Sequence, residues 1–282
     1  MADFDARPMA VTDTVAVWDV ACPGALAGRS DEECATDTHL VFPYRGAYVH
    51  HVGRQQAVAE ANQVIVINAG EPYRVSHPVQ GGDAALSIGV SPAALLELAP
   101  RERLRGRGQA ACNVSQLRAS ADVQALTALL RHGLGRGVIG ELAAEDLTLT
   151  LLRTALGGRT ASVAAGRPRS RRLVDQAKLV IAADLGRRWT LAQIAAEVGG
   201  SPVYLTQLFA ELEGMPLSRY QLQLRLARAL ALLGRCEDLT DLALQLGFSS
   251  HSHFSTAFKQ AFGQSPSAFR RSARAVERVG RR

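Results

Sequence analysis

Long apolar runs and paired cysteines are both missing from this 282-residue chain. No uninterrupted apolar stretch approaches the roughly 20 residues that a membrane-crossing helix needs. The acidic opening Met-Ala-Asp-Phe-Asp lacks the basic and apolar regions of a secretory signal. These absences lead to the expectation of a cytoplasmic protein with no membrane partner. The four cysteines, Cys22, Cys34, Cys112 and Cys236, lie far apart without a C-x-x-C pair. That pattern fits free thiols in a reducing compartment and not a disulfide framework. Cys22, Cys34 and His39 invite a redox or zinc reading, but their spacing matches no strong site, so no metal and no cofactor is expected.

What is present is enough apolar side chain for a sizeable core, 47% of residues, in a length that allows two domains. Charge is unevenly divided. From Arg167 onward there are 18 Lys and Arg against nine Asp and Glu, a surplus of +9 where the whole chain carries +6, so residues 1–166 sum to −3. A basic half joined to a mildly acidic one is the electrostatic footprint of a nucleic-acid-binding module attached to something else.

The basic half says nearly the same thing twice. Leu191-Ala-Gln-Ile-Ala-Ala-Glu-Val-Gly199 aligns with Leu239-Thr-Asp-Leu-Ala-Leu-Gln-Leu-Gly247. After one extra residue in the second copy, Phe209 falls on Phe258, Gly214 on Gly263 and Tyr220 on Phe269. Each copy reads as a short helix, a glycine turn and a longer helix, the helix-turn-helix plan. Thr190 and Gln193 predict a capping box, and Ser201-Pro202 a capped helix start. Asp238 caps the second short helix, and Ser249 or Ser250 starts the next long one. Ala195 and Ala243 sit where helices cross closely. Ile194, Val198, Leu205, Leu208 and Phe209, with Leu242, Leu246, Phe254 and Phe258, form two small cores.

The positions left outside are Val203, Thr206 and Gln207 in the first copy, and His251, Ser252, Ser255 and Thr256 in the second. These short, mostly uncharged side chains suit contact with base edges. Thr190, Ser201, Tyr204, Arg219, Ser250, Lys259 and Arg270 are expected on the DNA backbone. The connector Leu217–Leu233 has no glycine or proline and reads as one helix. Seventeen residues at 1.5 Å each span roughly 26 Å, enough to hold two recognition helices about one DNA turn apart on one face of the duplex.

The segment from about Arg171 to Ser272 resembles the DNA-binding domain of the AraC/XylS family of bacterial transcription regulators. The resemblance rests on Gly247-Phe248-Ser249-Ser250, Phe254-Ser255, Ala257-Phe258-Lys259, Phe262-Gly263, Ser265-Pro266 and Phe269-Arg270. It covers a little over a third of the chain. Gln207 and Thr256 stand where many members carry a basic residue, which obscures the base preference. The resemblance implies a non-enzymatic regulator, double-stranded promoter DNA and RNA polymerase as partners, a small-molecule effector, and a homodimer. Activation is the expected mode, although no residue separates it from repression.

Between His39 and Val90 the chain changes to short strands divided by turns: His39–Phe42, Ala47–Val52, Gln55–Ala59, Gln63–Ile67, Tyr73–Ser76 and Ala85–Val90, with an earlier one over Val15–Val20. That spacing suggests a small barrel or sandwich. Family members often carry a cupin-like barrel here, and the run is similar in order. The expected fold is therefore α+β, a cupin-like β-barrel with flanking helices linked to an all-α domain. The expected divisions are a sensor domain at 1–110, a helical dimerisation region at 111–160, a linker at 161–170 and the DNA-binding domain at 171–282. Helices are expected over Pro92–Leu98, Ser120–His132 and Glu141–Leu156. The last puts Leu142, Leu149, Leu152 and Leu156 at helical spacing, either to pack on the barrel or to pair subunits.

Enzymatic cupins carry an H-x-H pair, whereas His50 and His51 are adjacent and point to opposite faces of a strand. A shared metal site is not expected, which counts against a cupin metalloenzyme fused to a regulator. Tyr48, His50, Arg74 and His77 are the expected effector contacts inside the barrel, with Arg74 favouring an anionic ligand. The remaining alternative is an N-terminal domain that only oligomerises.

Overall fold

The computed structural model describes residues 4–24, 28–106, 108–158 and 168–279. Ten strands come from the N-terminal half: β1 (Asp5–Val11), β2 (Val15–Cys22), β3 (Glu33–Cys34), β4 (Thr38–Arg45), β5 (Tyr48–Val52), β6 (Gln55–Ala59), β7 (Gln63–Ile67), β8 (Pro72–Ser76), β9 (Asp83–Val90) and β10 (Gln116–Arg118). The seven strands expected from sequence are all there, while β1, β3 and β10 are additions. The mostly exposed β1 has Pro8 beside a register shift, so it shows no in-out alternation to read.

The strands form two antiparallel sheets, in the orders β1-β2-β9-β4-β7-β10 and β3-β8-β5-β6. They do not close into the expected barrel. β6 and β7 are joined through the turn at Glu60–Asn62 but share no ladder, so the sheets face each other as an open sandwich. The larger sheet is a middle layer. Val15, Val17, Leu40, Phe42, Leu86 and Ile88 point outward from the sandwich and pack under α1 (Pro92–Leu98), α2 (Ala121–Gly135) and α3 (Glu141–Leu156). Leu152 and Leu156 of α3 are fully buried in that core, whereas Leu142 is 82% exposed.

The C-terminal half is all helix: α4 (Pro168–Ala183), α5 (Leu191–Glu197), α6 (Pro202–Glu213), α7 (Leu217–Leu233), α8 (Leu239–Gln245), α9 (His251–Phe262) and α10 (Pro266–Val279). The expected linker is shorter at its end, because α4 already begins at Pro168. Most of that linker, 161–167, lies outside the described residues. One core joins α4, α5 and α6 through Val174, Ile181, Ile194, Leu205 and Phe209, and the other joins α8, α9 and α10 through Leu242, Phe254, Phe258 and Phe269. α7 belongs to both, giving Tyr220 and Leu224 to the first and Leu226, Leu230 and Leu233 to the second. Ala195 and Ala243 are fully buried at the crossings, as their small size demands.

Several contacts dock the halves, among them the packing of α4 on β5 and β6 through Val49, Val58 and Leu179. α2 runs along α7: Arg131 donates to the Ala231 carbonyl at 2.7 Å, His132 meets that of Leu230 at 3.1 Å, and Arg136 reaches that of Gly234 at 2.6 Å. The β6–β7 turn enters the first helical unit, where Tyr220 donates its hydroxyl to Glu60 and Asn62 donates to the Tyr220 carbonyl at 3.3 Å. Beside it the buried Glu213 pairs with Lys178 and, at 3.4 Å, with Arg118. Charges buried this deeply are tolerated because each has a partner.

Candidate nucleic-acid interface and intersheet cavity

The two long helices are built alike. Ser201 caps α6 by accepting from the Tyr204 N–H at 3.2 Å, and Ser250 caps α9 by accepting from the His253 N–H at 3.1 Å. Both end at a left-handed glycine, Gly214 (φ +62°) and Gly263 (φ +72°). The Thr190–Gln193 capping box ahead of α5 is complete. With Leu205, Leu208 and Phe209, or Phe254, Ala257 and Phe258, turned into the cores, the opposite faces are free. Val203, Thr206 and Gln207 on α6, and His251, Ser252 and Thr256 on α9, are exposed, while Ser255 is half-buried. Two hydroxyls already have local partners: Thr206 donates to the Pro202 carbonyl at 2.9 Å, and Ser255 Oγ lies 3.3 Å from His251 Nε2. Each keeps lone pairs for a base-edge donor.

The relative placement of the helices depends on residues that the motif alignment does not single out. Arg225 of α7 donates to the carbonyls of Leu185 (2.9 Å), Arg187 (2.7 Å) and Gly247 (3.2 Å), tying the loop before α5 to the turn before α9. Gly247 has φ +79°, and a Cβ there would stand 2.5 Å from the Gly186 carbonyl oxygen and 2.8 Å from Arg225. Gly199, its counterpart in the first copy, has φ +67° with open space around it. The second glycine therefore fixes the approach of the two units, and the first only turns the chain.

Of the residues expected on the DNA backbone, Thr190, Ser201, Tyr204, Arg219, Ser250 and Lys259 are exposed. Tyr204 Oη lies 3.2 Å from Ser170 Oγ. Arg270 is half-buried, and its Nη1 donates to the Glu237 carbonyl at 3.1 Å, so it braces the entry to α8. Arg187 and Arg188 were not among the expected residues, yet both are exposed between the two units. Arg187 stacks 3.8 Å from the Trp189 ring centroid, and Arg188 donates to the Phe248 carbonyl at 3.2 Å. Their adjacency just ahead of the capping box was the signal available in the sequence.

Between the two sheets lies a cavity of about 440 Å³, walled by Trp18, Val20, Val41, Tyr48, Ile67 and Tyr73 among others. Of the four expected effector contacts, Tyr48 and His77 line it, with ring centroids 5.9 Å apart. His50 does not: it packs 5.3 Å from the Tyr73 ring, 2% exposed, with no hydrogen-bond partner for Nε2 among the described residues. Burial pushes its pKa down to about 4. Arg74 is on the outer face, where it donates to the Ser30 carbonyl at 3.1 Å and approaches Glu32 at 3.6 Å. The reason is register: Arg74 is paired with His51, and both face away from Tyr48 and Val75. Desolvation raises the Tyr48 hydroxyl pKa further above its ordinary value and also raises that of the Cys22 thiol. His39, Ser87, Cys34 and Asp83 also reach the cavity; they come from three strands, β3, β4 and β9, so no linear spacing gathers them.

Two helix-turn-helix units on one shared helix, each with a free polar face, have the plan of a DNA-binding domain. A family model described as a helix-turn-helix domain matches residues 194–272. The transcriptional activator RhaR of Klebsiella pneumoniae is 34% identical over 139 residues, covering 49% of this chain and 48% of that one. The virulence regulon activator VirF of Yersinia enterocolitica is 28% identical over 152 residues, covering 54% and 55%. A solved AraC-type transcriptional regulator from Chromobacterium violaceum is 30% identical over 38% of this chain and 96% of its own, with a TM-score of 0.36. The chain carries a C-terminal helix-turn-helix domain of the AraC type. The whole chain spans about half the length of the two curated relatives it is compared with here. Among the described residues no helix is long and apolar enough to cross a membrane.

Proposed function

We propose that the protein reads a bipartite operator by placing α6 and α9 in successive major grooves, and that a small molecule in the intersheet cavity sets its regulatory state. The observation that carries the reading is the pair of equivalent, exposed, mostly uncharged helix faces held by α7. Val203, Thr206, Gln207, His251, Ser252, Ser255 and Thr256 meet base edges, and Lys259, Arg219, Arg187 and Arg188 meet phosphate. The relatives RhaR and VirF are named activators, which supports activation through RNA polymerase. A homodimer is part of the same reading, with the outward Leu142 at its contact.

The cavity falls within the ~300–1,000 Å³ common to small-molecule sites. Its walls are largely aromatic and aliphatic, and its charged residues are Glu33 and Asp83. With Arg74 outside, the walls favour an uncharged, mainly apolar effector over an anion.

Selection of binding sites from random DNA by the purified full chain tests the first part. The expected product is two short blocks about 10 bp apart; a single block would overturn the bipartite reading. Trp18 lines the cavity and the other tryptophan, Trp189, does not. In the Trp189→Phe protein, an effector should change Trp18 fluorescence and operator affinity over the same concentration range. A molecule that alters operator affinity without affecting Trp18 places the sensor elsewhere.

A further inference from the structure

At one end of the cavity three different donors converge from the two facing sheets. Cys22 ends β2, Asp83 begins β9, and the two are direct cross-strand partners. His77 follows β8 of the other sheet, with Nδ1 2.6 Å from Asp83 Oδ2. The thiol, a ring nitrogen and a carboxylate oxygen lie within 4.8 Å of one another, and the residues are 6%, 8% and 7% exposed. All three border the cavity.

We propose that Cys22, His77 and Asp83 bind a divalent cation of the zinc class. A thiolate, a neutral imidazole and a carboxylate carry two negative charges, which balance a dication in a place where an unbalanced charge is costly. That mixed sulfur, nitrogen and oxygen set matches Zn²⁺ and disfavours Mg²⁺ or Ca²⁺, which take oxygen. Bonds of about 2.0–2.3 Å put tetrahedral donors roughly 3–4 Å apart, so the present spread closes with side-chain shifts of about 1 Å. Binding removes the Cys22 proton to solvent and forms the metal–sulfur bond; the proton shared by His77 Nδ1 and Asp83 passes to His77 Nε2, so that metal bonds to Nδ1 and the carboxylate replace their contact. The fourth position is open to a water or to a donor atom of a molecule in the cavity.

The backbone is built to hold this end rigid. A Cβ on Gly24 would stand 2.6 Å from the Gly82 Cα, and one on Gly82 would collide with the Cys22 carbonyl, so the segments flanking both ligands pass in contact. Cys34 and His39 also line the cavity but are not in the cluster. The set differs from the H-x-H pattern of cupin enzymes, and it stands whether or not the cavity takes an effector.

The test uses the full chain, stripped with chelator, and Co²⁺ as a coloured stand-in for Zn²⁺. One equivalent of Co²⁺ should give a thiolate-to-metal charge-transfer band that Zn²⁺ bleaches, and Zn²⁺ should raise the thermal midpoint by bridging the sheets. Losing a group that only orients a ligand weakens metal sites about 10–100-fold, so Cys22→Ala, His77→Ala and Asp83→Asn, which remove or weaken a ligand itself, should each weaken binding by more than about a hundredfold. Cys34→Ala and His39→Ala should leave stoichiometry and band unchanged. Circular dichroism without metal checks that each variant is folded. No charge-transfer band in the wild type, or an undiminished band in folded Cys22→Ala, overturns the proposal.

Discussion

Glu60→Gln should make the protein more stable at pH 8, although it removes a hydrogen-bonded charge. Glu60 is fully buried where the β6–β7 turn enters the helical half, and burial pushes its pKa up to about 7 from an ordinary 4.5. Hydrogen bonds from Tyr220 and Asn62 and the nearby Lys178 favour the anion but do not offset desolvation. The folded chain therefore retains this proton between about pH 4.5 and 7, where the unfolded chain has lost it. Stability from this group falls as pH rises through that window, and the penalty is complete above it. A displacement of that size corresponds to about 3 kcal/mol, as an order of magnitude. Glutamine resembles the protonated acid: its oxygen can accept from the Asn62 N–H, as Glu60 Oε2 does at 2.7 Å, and its amide can donate to the Tyr220 oxygen. His50 and His132, whose pKa values burial lowers to about 4, have the opposite slope. Their stabilising contribution is full above pH 6.5 and is lost as pH falls towards 4. Wild type and variant share that loss, so their difference isolates Glu60. Urea unfolding at pH 5 and pH 8 should show near-equal stability at pH 5 and a variant advantage of up to about 3 kcal/mol at pH 8. An unchanged gap between the two proteins across that range would refute the reasoning.

The remaining predictions concern the helical half. A fragment spanning 167–282 should bind DNA, with affinity falling steeply in salt as counterions are released; a folded fragment without affinity at low salt would remove the claim that this half suffices. Gln207→Ala and His251→Ala should each change preference among operator variants by about 1–3 kcal/mol per lost base contact, read by competition binding, and equal losses on random DNA would exclude base reading. Gly247→Ala should destabilise the full chain by more than Gly199→Ala, whose backbone cost alone is about 1–2 kcal/mol; equal midpoints in denaturant would mean that the Gly186–Gly247 approach is not tight. Arg270→Ala should lower stability as well as DNA affinity, since Arg270 braces the entry to α8; an affinity loss at unchanged stability would return it to a phosphate-only role.

The tandem motif was legible because its signals are local. Caps, turn glycines and the i, i+3, i+4 spacing of Leu205, Leu208 and Phe209 act within one or two helical turns, so linear order preserves them. The same holds for α1, capped by Ser91 with Pro92 following, and for α3 over Glu141–Leu156. Strand positions were readable from turns and alternation, but closure was not: whether β6 pairs with β7 depends on sheet twist and on neighbours far away in sequence. The effector residues separated for the same reason. Tyr48 and His77 face the cavity, while Arg74 is turned out by the register that pairs it with His51. Cys22, His77 and Asp83 show no ligand spacing along the chain, because β2, β8 and β9 meet only when the sheets stack. The docking of the halves was equally hidden, since Glu60, Lys178, Glu213 and Tyr220 are scattered over some 160 residues. Sequence alone determined what each helix pair is, through interactions between near neighbours. The tertiary structure decided which side chains from distant strands and helices share a cavity or a buried charge, because those encounters follow from sheet register and domain packing.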